Sequence, residues 1–173
     1  MDTTDGQPGP GTGDLEALDQ FRRWGRFLFA ILALVAAVGL VLVPVGVGLD
    51  PARLLAVWPL ILILAANVAA SLIVLVSLFR GLGRASGWAL HAVVPVCGVL
   101  IVIGVVRTLI ALTQNQLLFP LEAIGALLVL TRPHGPDIMP LPTNEDRRRA
   151  TIASGALLAS YFVPLVLPLS LAG

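Results

Sequence analysis

The stretch WALHAVVPVCGVLIVIGVVRTLIAL, residues 88–112, decides how this chain is read. It carries a single formal charge, Arg107, in an otherwise apolar run. A run of that kind marks a membrane-spanning helix, because about 20 apolar residues are needed to cross a hydrocarbon core of about 30 Å. Working outward, residues 54–79 and 27–49 precede it without a charge, and residues 117–131 and 150–172 follow it. The expected fold is therefore all-α: a polytopic integral membrane bundle of five transmembrane helices.

Composition agrees. The chain is 57% hydrophobic and 12% charged, with a mean hydropathy of +0.95. A soluble domain of 173 residues cannot bury that much apolar surface. A net charge of +1 excludes a general nucleic-acid binder, which needs a concentrated basic face. All 11 basic residues are arginine. Lacking lysine, the chain offers no side-chain amine for a Schiff base. The arginine-only set suits GC-rich coding, as in many actinobacteria, and with it a bacterial cytoplasmic membrane. Cys97 is the lone cysteine, so there is no intramolecular disulfide and no cysteine metal cluster. No metal and no cofactor is expected.

The N-terminal residues 1–13, rich in Gly, Pro, Asp and Thr, read as a disordered tail. In residues 14–26 the apolar positions Leu15, Leu18, Phe21 and Trp24 recur every three residues between charged ones. They predict a short amphipathic helix lying at the interface and running into the first span. The next segment, 27–49, is about 34 Å long at 1.5 Å per residue. It is too long for a signal-peptide core and is read as a retained span. Asp50-Pro51 opens the second span as an acidic N-cap followed by proline. The polar turn 113–116 separates spans three and four. Prolines 44, 95, 164 and 168 predict bends or ends in spans one, three and five.

Segment 117–131 is the short one, about 22 Å if wholly helical, and it carries Pro120 and Glu122. Arginine placement argues that it crosses. With five spans and the N-terminus inside, Arg22, Arg23, Arg26, Arg80, Arg84, Arg132, Arg147, Arg148 and Arg149 all fall inside, Arg53 falls outside, and Arg107 lies within the membrane. The C-terminus is then outside. Without that crossing the bias vanishes. The loop 132–149 contains four prolines, and Thr143 with Asp146 three residues on reads as a capping box opening span five.

Arg107 and Glu122 are the leading candidate pair. They stand equally far from the centre of the turn between spans three and four. A helical hairpin therefore brings them to similar depth, where an unpaired charge is costly. A structural salt bridge competes here with an ion, lipid or subunit site. Asn67 and Ser71 stand one turn apart in span two. With Ala66 and Ala70 they read as a small-residue packing face, or as a polar site. The arginines 22, 23, 26, 80, 84, 147, 148 and 149 read as topology determinants or lipid head-group contacts. His91, His134 and Asp137 form no recognisable metal, haem or acid–base constellation. The segment 81–87 has the wrong spacing and context for a phosphate loop and reads as a flexible inner turn.

Two functions follow from this reading. The first is a non-catalytic structural or accessory subunit of a larger membrane assembly, with the lipid bilayer and other membrane subunits, or further copies of itself, as partners. The second is a small oligomeric transporter or channel using Arg107, Glu122 and Asn67. Nothing in the sequence argues for an enzyme.

Overall fold

The structure is a computed structural model that describes residues 12–46, 51–113, 120–132, 139 and 141–171. Among these residues it is all-helical: α1 Thr12–Gly46, α2 Pro51–Gly83, α3 Gly87–Thr113, α4 Leu121–Leu130 and α5 Asn144–Leu171. Two segments within them are long and apolar enough to cross a membrane, Ile61–Gly83 and Gly87–Thr113, each with mean hydropathy 2.6. Most of the tail, Asp50, the turn at 114–116, His134 and Asp137 lie outside the described residues.

The helices close into a ring in the order α1, α2, α5, α3, α4, with α2 also touching α3 across it. The α1–α2 and α3–α5 seams are the most extensive, and the α4–α1 seam is the thinnest. Inside, Phe21 and Phe29 of α1, Leu75 and Leu78 of α2, Val93, Val96 and Leu100 of α3, Val129 of α4 and Leu157 of α5 are buried together. The outer faces are also apolar: Ile73 is 67% exposed and Leu121 72%.

At the start of the chain α1 runs unbroken from Thr12 to Gly46, so the amphipathic stretch continues directly into the apolar one that follows it. Residues 14–26 also do more than coat a surface. Phe21 is fully buried, and Leu18 and Trp24 pack against the core, while Leu15 at the start of the repeat is exposed. The fourth helix, α4, has ten residues and is about 15 Å long, with Pro120 at its N-cap. Prolines 59 and 95, by contrast, are accommodated inside α2 and α3.

One end of the ring gathers the arginines. Arg22 of α1 donates from Nε and Nη2 to the Leu82 carbonyl in the last turn of α2, at 3.1 and 2.9 Å. The Arg26 guanidinium lies 4.9 Å over the Phe79 ring. Arg132, just past α4, lies 4.1 Å over Trp24. Gly87, which opens α3, faces the Asp146 carboxylate of the first turn of α5. The start of α3, the start of α5 and the ends of α2 and α4 therefore meet beside the N-terminal half of α1.

The α2–α3 connection is an ordered Schellman motif. Ser86 N–H donates to the Gly81 carbonyl and Ala85 N–H to that of Leu82. Ala85 takes the left-handed conformation (φ 54°) where glycine is usual. The segment read as a flexible turn is thus a specific helix stop.

At α5, Thr143 and Asp146 form the reciprocal capping box. Asp146 N–H donates to Thr143 Oγ1 at 3.2 Å, and Thr143 N–H donates to Asp146 Oδ2 at 3.1 Å. The Thr143 hydroxyl also donates to Asp146 Oδ2 at 2.6 Å. This hydroxyl bond, seconded by the Thr143 backbone N–H, holds the Asp146 carboxyl below its ordinary range.

Candidate functional site: an arginine between two cavities

Arg107 stands about two turns before the end of α3, and Glu122 stands in the first turn of α4. The structure brings them together, with Arg107 Nη1 donating to Glu122 Oε1 at 2.7 Å. The Glu122 side chain is 11% exposed, and that of Arg107 is 42% exposed. Glu122 lies in the first turn of α4, at the positive end of the helix dipole.

The pair can form because α3 and α4 approach closely one turn away. A Cβ on Gly104 would fall 2.6 Å from that of Ala123 and 3.3 Å from Pro120 Cβ. Only glycine leaves room for this crossing, and the crossing sets the reach from Arg107 to Glu122.

Arg107 borders two cavities. The inner one, about 320 Å³, lies among α1, α2, α3 and α5. It is lined by Ala36, Leu64, Asn67, Val68, Ser71, Arg107, Ser160 and Tyr161. The polar residues singled out in span two therefore share a cavity with the arginine singled out in span three. Their bonding is mostly local. Asn67 Nδ2 donates to the Ile63 carbonyl at 2.7 Å, within its own helix. Ser71 Oγ and Ser160 Oγ lie 2.6 Å apart, joining α2 to α5 in the buried interior.

Ala66 and Ala70 do not take part in this seam. Both are exposed, because a step of one residue turns the helix by about 100° and faces them outward.

The outer cavity, about 500 Å³, runs along the thin α1–α4 seam. Apart from Arg107 and Glu122 its lining is apolar, including Trp24, Phe27, Ile31 and Val35 of α1 and Leu121, Ile124 and Leu128 of α4. The two helices nearly touch at its floor, where a Cβ on Gly125 would meet Leu28 Cδ1 at 2.6 Å.

Of the remaining candidates, Arg22 caps α2 and Arg26 stacks on Phe79. Arg23 pairs with Asp19, and Arg149 with Glu145, each at 2.7 Å along its own helix. Arg80, Arg84, Arg147 and Arg148 are exposed at the same end. Cys97 is a buried thiol in α3. Among the described residues no group of three or more His, Cys, Asp and Glu side chains gathers to hold a metal.

Sequence reasoning missed Ser160 and Tyr161. The signal was present, since they are adjacent polar-bearing residues in the apolar stretch 150–172. The logic that selected Asn67 and Ser71 selects them too. It also missed Gly104 and Gly125, whose importance depends on what lies opposite. No protein-family model, no curated protein and no solved structure matches this chain.

Proposed function

We propose that the chain is a five-span membrane protein, N-terminus inside and C-terminus outside, and that it serves as a non-catalytic structural or accessory subunit of a larger membrane assembly. The observation that carries this reading is the pairing of an apolar outer surface with an arginine-rich end. Large apolar side chains are exposed on every helix, among them Leu34, Ile73, Leu109, Leu121 and Ile152. Water does not tolerate contiguous apolar area on that scale, and lipid or a partner does. The arginines gathered beside the start of α1 fit the positive-inside rule for a bundle whose helices alternate in direction. The short α4 crosses with the help of local bilayer thinning.

An accessory role fits the interior. Asn67, Ser71 and Ser160 spend their hydrogen bonds on helix backbones and on each other, which is the behaviour of helix-packing groups. A hydrated path needs polar faces on several helices. The test is purification in mild detergent, with native mass and identification of co-purifying chains. Stoichiometric recovery with other membrane proteins is the expected result. A pure homo-oligomer would refute the accessory role.

A second reading, a small oligomeric transporter or channel, is favoured by one observation: Asn67, Ser71, Ser160, Tyr161 and Arg107 converge on the inner cavity. Solute flux into proteoliposomes that is lost in Asn67→Leu would support it, and an impermeable liposome would remove it. Cysteine labelling tests the topology beneath both readings. Positions 114–116 should react from outside and 134–141 from inside. Reaction of both sets from one side would mean that α4 does not cross.

A further inference from the structure

The α1–α4 groove is long and apolar. It follows α1 from Trp24 to Val35, a rise of about 16 Å at 1.5 Å per residue. Its volume is about 500 Å³, and apart from Arg107 and Glu122 its walls are apolar, a lining that suits the alkyl chain of a lipid.

The two ends differ. One is lined by the Arg107–Glu122 pair. The other lies at Trp24, with the Arg132 guanidinium 4.1 Å over the indole ring. A guanidinium held over a ring still carries the planar fork of N–H donors that matches phosphate. An indole beside a cation is also the pairing found where hydrocarbon meets head groups. This end is the arginine-rich end of the bundle, where Arg22 caps α2.

We infer that the groove between α1 and α4 holds one alkyl chain of an anionic phospholipid, with the phosphate at Arg132 and Trp24. The inference rests on the membrane reading above. It adds a specific lipid site on one seam of the bundle, and it explains why the α1–α4 seam is thin: the lipid supplies the packing that α4 does not. Gly125 keeps the floor low enough to seat the chain against Leu28.

The test uses the full chain with Trp58→Phe and Trp88→Phe, leaving Trp24 as the reporter. The protein is first floated with vesicles, then reconstituted in discs containing a small fraction of brominated phosphatidylglycerol or brominated phosphatidylcholine. Bromine quenches indole at contact. The expected result is severalfold stronger quenching by the anionic lipid. Arg132→Gln should abolish that preference while leaving the weak quenching by phosphatidylcholine. Ile31→Phe with Ile124→Phe, which fills the groove from both walls, should lose quenching by either lipid. Equal quenching by the two lipids, or a preference unchanged in Arg132→Gln, would overturn the site. Shielding of Trp24 from both lipids, together with a dimeric native mass, would overturn it in favour of a second copy. Failure to float with vesicles would overturn the membrane reading itself.

Discussion

The two halves of the bundle hold arginine in opposite ways. At the end where α1 begins, the charges are numerous and locally satisfied. Arg23 and Arg149 pair along their own helices, Arg22 caps α2, and Arg26 and Arg132 stack on aromatic rings. Toward the far end of α3, Arg107 lies between the apolar groove and a cavity that Asn67, Ser71, Ser160 and Tyr161 also line, and the nearly buried Glu122 answers it from another helix. The same residue type acts as one of many anchors at the first place and as a single partner at the second. The difference comes from the burial of the anion. An exposed ion pair contributes little because water competes for both partners, whereas a nearly buried carboxylate depends on its partner.

Breaking this contrast begins with Arg107. Arg107→Ala leaves Glu122 nearly buried without its cation and should destabilise the fold by roughly 3 kcal/mol. Adding Glu122→Gln should recover part of the loss, as read from detergent unfolding midpoints in a double-mutant cycle. Strict additivity would refute the pairing as an energetic unit.

The next effect belongs to the crossing that sets the pair. Gly104→Val should cost about 1–3 kcal/mol by overpacking against Ala123 and Pro120. It should also separate Arg107 from Glu122. In that background Glu122→Gln should cost less than in the parent, and an undiminished cost would show that the crossing does not control the pair.

At the basic end the expected effects are smaller. Ala85→Gly relieves a left-handed alanine and should stabilise by about 1 kcal/mol, seen as a higher unfolding midpoint. A lower midpoint would mean that the Schellman stop is not formed. Arg149→Gln should stay within about 0.5 kcal/mol of the parent. A cost matching that of Arg107→Ala would erase the distinction between the two halves.

Asp146 supplies the pH counterpart. Its carboxyl is held below the ordinary range first by the Thr143 hydroxyl. The ionised form therefore stabilises the fold at pH values above the carboxyl's unfolded pKa. That contribution is lost as pH falls through the depressed folded value. The advantage of the parent over Asp146→Asn in thermal unfolding should be full at neutral pH and vanish only at strongly acid pH. An advantage that grows on acidification would have the wrong sign for this box.

The legibility of each feature follows from how local its cause is. The helical class, the capping box at Thr143 and the need for Arg107 to find an anion are all written in neighbouring residues: periodicity, a cap motif, a charge in an apolar run. The ten-residue extent of α4 was less legible, because an apolar run does not announce that the helix opens at Leu121. The burial of Phe21 was hidden for a related reason. Amphipathic periodicity specifies a buried face without naming what buries it, and here Phe21 joins a core to which all five helices contribute.

By itself, the sequence determined that the chain is built of long apolar helices, that its basic residues flank them, and that Arg107 and Glu122 stand symmetrically about one turn. These follow from composition, from the 1.5 Å rise and from the cost of an unpaired charge in hydrocarbon. Only the tertiary structure decided that the ring closes in the order α1, α2, α5, α3, α4 and that Ser71 meets Ser160 across it. The tertiary structure also left the α1–α4 seam thin and grooved. Those outcomes depend on which helix faces can approach closely, and the approach is set by pairs such as Gly104 with Ala123 and Gly125 with Leu28, whose members lie far apart in the chain.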